Sequence, residues 1–561
     1  MVGRGPGALA RGAGLLAAAL LGFLSLFTLW AASCFGLHLD SESFALVGAM
    51  LVRSGAVPFR DFAGFTPPGT FYLLAALFRF TGDSVLVARF ALTALPKWLI
   101  VILAARTSRR LGTPVWGAVL AGAFATVALG NGTFSGADYG GAHPTVLATL
   151  LAVATAAAQA EFLMGGPAVW AFLAGLSAGL NVLIRYDLAL FSVLGVCAAH
   201  AVAFRFAPSK AEAKSLRTGL VRFVWGALAG AGPAALFFLY KVPLSDLRLS
   251  LIDYPAAYLR LAGVMDRGFV LSKIAGVFHV PTGTQSLRQF LREWWLYDSY
   301  RMLSFFALAW SWAWLLRAWQ SGELRGRREK GMAAFLFSGT FLAGYYVKSG
   351  NLFSFPAPFF ALLPVLIAGS WRSKNRVSSG VAVASAAWAL GTGGWMWYTL
   401  LILPFPGHRA LGVPSARGVV LSKDETAFFE SMTRAVQDLV PPDERILVYD
   451  RRYDISRPPQ SELYFLFGRL PGTGFYDFSP GITDREDVQN RIVADLTRNR
   501  VRFVLQSDWP VVARPATGTG PIFDAYIARN FSEVARFGPY RLLYRGGVAR
   551  ERTARRGQSA G

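Results

Sequence analysis

Cysteine is nearly absent from this chain: Cys34 and Cys197 are the only two in 561 residues, and neither has CxxC spacing. A disulfide framework and a thiolate metal site are both excluded. Charge is scarce as well. Asp, Glu, Lys and Arg make up 16% of the residues, against about a quarter in soluble domains, so the chain as a whole is not a soluble globular protein. Acids are the scarcer sign, 33 against 56 basic residues, for a net charge of +23. No repeat of solenoid period is found. No glycine motif of the phosphate-cradling kind appears either; the TGTG stretch at 517–520 reads as a loop with no helix start at the right spacing.

What the chain has instead is apolar length. Hydrophobic residues make up 54% of it, and the mean hydropathy is +0.40. Runs near the ~20 residues of a bilayer-crossing helix recur along it. They fall near 14–35, 84–105, 114–130, 144–163, 168–185, 187–204, 219–240, 301–318, 333–348, 353–370 and 378–403. The first is longer than a signal-peptide core and lacks a convincing cleavage site, so it reads as a retained helix. Starting from a cytoplasmic N-terminus, the inner segments hold eighteen basic residues against four acids, which is the positive-inside bias. The charge excess is therefore topological, and a nucleic-acid partner is not implied. The reading is an α-helical polytopic membrane protein of about eleven spans.

Three features share the outer face on this map: residues 36–83, a long loop at 241–300, and everything after Pro404. Within the first, Ser43 to Ser54 and Pro68 to Thr81 have helical apolar spacing but are too short to cross, as amphipathic helices at a membrane surface are. Residues 404–545 read as a soluble α/β domain after the membrane part, 1–403. Amphipathic helices DETAFFESMTRAVQDLV and DREDVQNRIVADLTRN alternate with strands ERILVYD, VRFVLQSD and YRLLYR. The tail 546–561 is basic and has a disordered composition.

Polar groups gather at the outer ends of several spans. Asp40 and Glu42 follow the first span, and Arg60 and Asp61 lie in FRDF. Arg89 opens the second span, His143 precedes the fourth, Arg185, Tyr186 and Asp187 form the tight IRYD turn, and Lys348 ends a later span. Each has a plain structural reading: Asp40 as a headgroup-level acid, Arg89 as an interfacial anchor, His143 as a helix start, Arg60–Asp61 and Arg185–Asp187 as local ion pairs. Their company suggests more, because acids and arginines at a bilayer surface suit a ligand that is half lipid and half anionic head.

The order of a helix, then Asp40, then GAVPFRDF, then PPG resembles the GT-C superfamily of membrane glycosyltransferases. That superfamily includes protein O-mannosyltransferases, aminoarabinose transferases of lipid A and RgtA/B/C/D-like lipopolysaccharide transferases. The likeness to the last group is carried by SGAVPFRDFAGFTPPGTFYLLAALFRFTG and the later IRYD, and it covers roughly residues 15–400. The resemblance implies transfer from a polyprenyl-phosphate sugar donor to an acceptor hydroxyl of a glycolipid such as lipopolysaccharide, a polysaccharide or a protein. It implies an integral inner-membrane location with the C-terminal domain periplasmic. Asp40 is then the general base, with Glu42 as the alternative because Ser41 stands where many relatives have a second acid. Arg60, Arg89 and Arg185 are candidates for the donor phosphate, and Asp61, His143, Tyr186, Asp187 and Lys348 for substrate contact. Thr66 stands where aminoarabinose transferases carry a lysine, so the phosphate is held otherwise here. No cofactor is implied; a divalent metal held by Asp61 with Asp40 stays open, although no ligand set is spaced for one. A transporter or flippase of lipid-linked glycans, or a polymerase of them, is the competing class. A transporter would place ionisable residues deep within spans, and on this map the span interiors lack acids.

Overall fold

A computed structural model describes residues 6–37, 42–64, 66–134, 141–261, 299–348, scattered positions between 363 and 394, 407–450, 460–478, 481–507 and 521–546. Among these, five helices are long and apolar enough to cross a membrane: Ala13–Ser33, Val85–Arg110, Pro144–Leu163, Val169–Arg205 and Lys210–Lys241. Val115–Phe134, Ser299–Gln320 and Arg327–Lys348 are also helical. The spans expected at 353–370 and 378–403 fall almost wholly outside the described residues, as do the tail and most of the 241–300 loop. The part of that loop that is described, Leu244 to Leu261, is helical with a π turn at Leu249–Asp253. The chain forms two compact units, each assembled from three separate stretches of sequence.

The first unit comprises 1–34, 89–236 and 266–406. Helices that share an apolar solvent gain little from burying more apolar surface against each other, so packing and interhelical hydrogen bonds hold them together. Trp98 Nε1 donates to the Gly22 carbonyl at 2.8 Å, and Ser25 and Thr126 hydroxyls pair at 2.7 Å. Small residues let backbones approach. The buried side of Pro144–Leu163 includes Ala148, Ala152, Ala156 and Ala160. Gly175 and Gly179 meet the Phe223 and Ala227 carbonyls of the Lys210–Lys241 helix, whose Gly226 and Gly230 in turn meet Phe172 and Leu176.

The Val169–Arg205 element is not one straight rod. Arg185 has φ −154° and ψ 97°, outside helical values. Ala174 and Val196 share one core cluster, yet 22 residues of continuous helix would separate them by about 33 Å. The chain therefore doubles back at Arg185, giving the two antiparallel arms and the tight IRYD turn that the sequence suggests. The end of the bundle away from this turn carries the dense basic charge. There Arg110 grips the buried Glu161 with both carboxylate oxygens, Arg106 lies at 3.5 Å from the same group and over the Trp170 ring, and Lys330 pairs with Glu212.

The second unit comprises 35–88, 237–265 and 407–561. Its four-stranded sheet runs β1 (Ile446–Asp450), β2 (Phe503–Ser507), β4 (Tyr540–Tyr544), β3 (Ser532–Phe537), with β1 and β2 parallel and the other pairs antiparallel. Strand alternation sorts the faces. Leu447, Tyr449, Val504 and Leu543 pack with Val488, Ile492, Phe523 and Ile527 of the helices Glu486–Arg498 and Pro521–Asn530. The opposite face includes Val448, whose backbone N–H is bound at 2.7 Å by the buried Tyr464 hydroxyl oxygen. The Lys423–Leu439 helix opens with a capping box in which Ser422 and Glu425 satisfy each other's backbone N–H. Contrary to expectation, a helix does begin directly after TGTG, at Pro521; proline offers no N–H at that first position.

The first-loop helices form at Ser43–Arg53 and Gly69–Thr81 as their spacing suggests, and they belong to this second unit. Phe44 and Phe62 both meet Tyr476 edge-on or tilted, at 6.4 and 6.0 Å between ring centroids, and Phe78 meets Phe465. Ala63 N–H donates to the Gly474 carbonyl at 3.0 Å. Tyr72, Leu73 and Phe80 stay exposed, leaving an apolar strip for a membrane surface.

Candidate functional site

At one end of the first unit the polar residues of four segments are tied into one chain of hydrogen bonds. Arg89 is wholly buried, and its Nη1 donates to the Ser33 carbonyl at the end of the first helix, at 2.9 Å. The helix that follows Arg89 widens into a π turn at Phe90–Ala94, a feature frequent at functional sites. Thr93 in that turn donates its hydroxyl to the Gly141 carbonyl. Two residues on, His143 caps the Pro144–Leu163 helix, with Nδ1 accepting the Thr145 N–H at 3.1 Å; the neutral ring then carries its proton on Nε2.

Thr145 closes the chain. Its Oγ1 accepts from Arg185 Nη1 at 2.7 Å, and the rest of that guanidinium grips Asp187 in a two-pronged pair of 2.8 and 3.1 Å. Asp187 also accepts the Leu188 N–H at 2.9 Å, which fixes the start of the second hairpin arm. Tyr186 stands exposed at the turn. Lys97, two turns after Arg89 on the same helix, is 2% exposed and was not singled out by sequence because it sits inside an apolar run. Among the described residues of this end, the cations Arg89, Lys97 and Arg185 stand with a single acid, Asp187; the other described acids of the unit are Glu161, Glu212, Glu323 and Glu329.

The remaining candidates are placed as follows. In the second unit, Asp61 takes Arg60 Nε and Nη2 at 2.9 and 2.8 Å and the Val57 N–H at 2.7 Å, closing a turn in which Phe59 adopts φ +71°. The Arg60 hydrogen bond holds the Asp61 carboxyl below its usual range, with the Val57 N–H assisting. A depressed carboxylate pKa stabilises the folded state above the unfolded value of about 4 and loses that contribution as pH falls through the folded value. Asp61→Asn is therefore expected to lose wild-type thermal stability at neutral pH and to converge on it as pH falls through the folded carboxyl's lowered value, read by melting curves across pH. Glu42 is fully buried at the N-cap of Ser43–Arg53 without capping it through its side chain. Asp40 lies outside the described residues. Lys348 ends the Arg327–Lys348 helix, and its side chain is likewise outside them. Thr93, Thr145 and Lys97 are the members that sequence reasoning missed. The i, i+4 spacing of Arg89, Thr93 and Lys97 signals two of them, and nothing in the sequence signals Thr145.

No protein-family model matches the chain, and no curated protein sequence does. Among solved structures, that of ArnT from Cupriavidus metallidurans in the apo state aligns with 96% of this chain and 99% of its own, with a TM-score of 0.54 at 12% identity. At that identity the likeness is one of fold: this is a membrane protein with the GT-C fold, the fold of ArnT.

Proposed function

We propose that the chain is a membrane glycosyltransferase that moves a sugar from a polyprenyl-phosphate donor to an acceptor hydroxyl. The observation that carries this is the joining of Arg89 and Arg185 at one end of a membrane-embedded bundle through Thr93–Gly141 and Thr145. A leaving lipid phosphate gathers negative charge as the glycosyl bond breaks, and fixed cations in a poorly solvated site stabilise it. Arginine suits the role because its fork matches two phosphate oxygens. Arg60 pairs with Asp61 as Arg185 does with Asp187, and it stays a phosphate candidate. His143, Tyr186 and Asp187 border the same end and are assigned to substrate contact.

An acceptor hydroxyl is a poor nucleophile until its proton is taken, so a base is needed. The family resemblance assigns it to Asp40, and Glu42 is the alternative. The positive-inside charge pattern supports a cytoplasmic N-terminus with the chemistry on the opposite side, where a periplasmic acceptor, glycolipid, polysaccharide or protein, would meet the donor.

The test is transfer from radiolabelled polyprenyl-phosphate sugars in membranes holding equal amounts of wild type, Asp40→Asn or Glu42→Gln. Wild type is expected to transfer one sugar, and Asp40→Asn to lose at least about a hundredfold, the scale of a missing general base. Loss in Glu42→Gln alone would move the base two residues. Failure of wild type to consume any donor would overturn the reading in favour of transport.

A further inference from the structure

Asn181 lies one helical turn before Arg185 on the first hairpin arm and is wholly buried. Its Nδ2 donates to the Ala148 carbonyl at 3.1 Å, which orients the amide. Among the described residues its Oδ1 has no hydrogen-bond partner. Inside a membrane bundle that is a costly arrangement, because no bulk water relieves it. A leucine of similar size would remove the cost, so the unsatisfied acceptor points to something that is bound there during function.

Two further buried polar residues lie at a matching helical depth. Below the Arg185–Thr145 and Thr93–Gly141 bonds, four further residues of helix carry each strand of this seam about 6 Å deeper. At that depth are Lys97, Thr149 and Asn181, each at most 6% exposed. The Thr149 hydroxyl is turned to the Thr145 carbonyl at 2.8 Å, and Lys97 adds positive charge. Buried polar side chains of this chemistry suit an oxygen-rich ligand and disfavour a prenyl chain.

We propose that Asn181 is a specificity-determining residue of the donor site: with the lipid phosphate at Arg89 and Arg185, the sugar reaches one turn deeper and donates a ring hydroxyl to Asn181 Oδ1. The proposal rests on the donor reading above. A site built to bond a hydroxyl discriminates strongly against ligands that lack it, because its own polar group is then left unpaired.

Binding, not turnover, tests it. The full chain in nanodiscs is titrated, by tryptophan fluorescence, with undecaprenyl phosphate and with undecaprenyl phosphates bearing glucose, mannose, galactose or arabinose. Wild type is expected to bind one sugar-lipid at least about tenfold more tightly than the bare lipid phosphate. Asn181→Ala is expected to reduce that preference below about twofold while bare-lipid affinity stays unchanged. Asn181→Ser keeps an acceptor and is expected to retain part of the preference, which covers the case in which the alanine variant does not fold. The proposal is overturned if Asn181→Ala keeps the full preference, if it loses bare-lipid affinity by the same factor, or if wild type shows no preference among sugars. If wild type binds none of these lipids, the donor reading itself fails and this proposal with it; bare-lipid binding without sugar preference sinks only the role of Asn181.

Discussion

Arg185→Gln is expected to lower sugar transfer by about 10²- to 10³-fold, the scale seen when one fixed donor to a developing anion is removed. Glutamine keeps an N–H for Thr145 but removes the charge that faces Asp187. Arg185→Lys restores the charge without the planar fork, so it should recover part of the activity and not all. Donor affinity and the single-turnover rate need separate measurement, because a group acting on the leaving phosphate affects the rate more than ground-state binding. The reverse pattern, weakened binding at an unchanged rate, would make Arg185 a docking residue. Arg185 is also the non-helical residue at which the hairpin reverses, so a fold role must be excluded. Equal melting temperatures of wild type and Arg185→Gln would do that. Transfer within about threefold of wild type would remove Arg185 from the phosphate site altogether.

The second large effect concerns architecture. Gly175→Leu and Gly226→Leu are each expected to abolish most of the folded protein. A Cβ at Gly175 would overlap the Phe223 carbonyl, and one at Gly226 the Phe172 carbonyl. Overpacking costs about 1–3 kcal/mol where side chains can yield. Here the obstacle is backbone, so the helices must separate, and the cost lies at or above the top of that range. Gly232→Leu on the same helix is the control, since nothing lies within 4 Å of its added Cβ. Monodisperse yield in detergent and the melting midpoint should fall for the first two and hold for the third. A Gly175→Leu variant that melts with the control would show that the pair does not pack this closely.

Much of this fold is written in run length and period. Apolar runs separated by arginine-rich breaks mark the spans, and the charged break in IRYD between two apolar runs marks the hairpin turn. Short apolar runs in ILVYD and FVLQS, buried on both faces, mark the strands, and their parallel pairing follows from the helix between them. The helix Glu462–Phe467 and the strand Ser532–Phe537 were not read, being short and weakly patterned. Charged candidates at span ends were legible because charge is rare in this chain. Lys97 and Asn181 were not, because a single polar residue inside an apolar run does not disturb its hydropathy. The π turn at Phe90–Ala94 leaves no trace in the residues, since it depends on which carbonyl each N–H finds. Nor does an amphipathic pattern say what covers its apolar face: in Ser43–Arg53 part of that cover is Tyr476, far along the chain.

That last contact has a consequence in time. Phe44 and Tyr476 are about 430 residues apart in the chain, and a ribosome adding 5–20 residues per second needs about 20–90 s to make the stretch between them. Throughout that interval the two first-loop helices exist without the partner that completes their packing, their apolar faces left to the lipid surface or to a chaperone. Stalling synthesis before residue 476 should leave these helices open to protease, and completing the chain should close them.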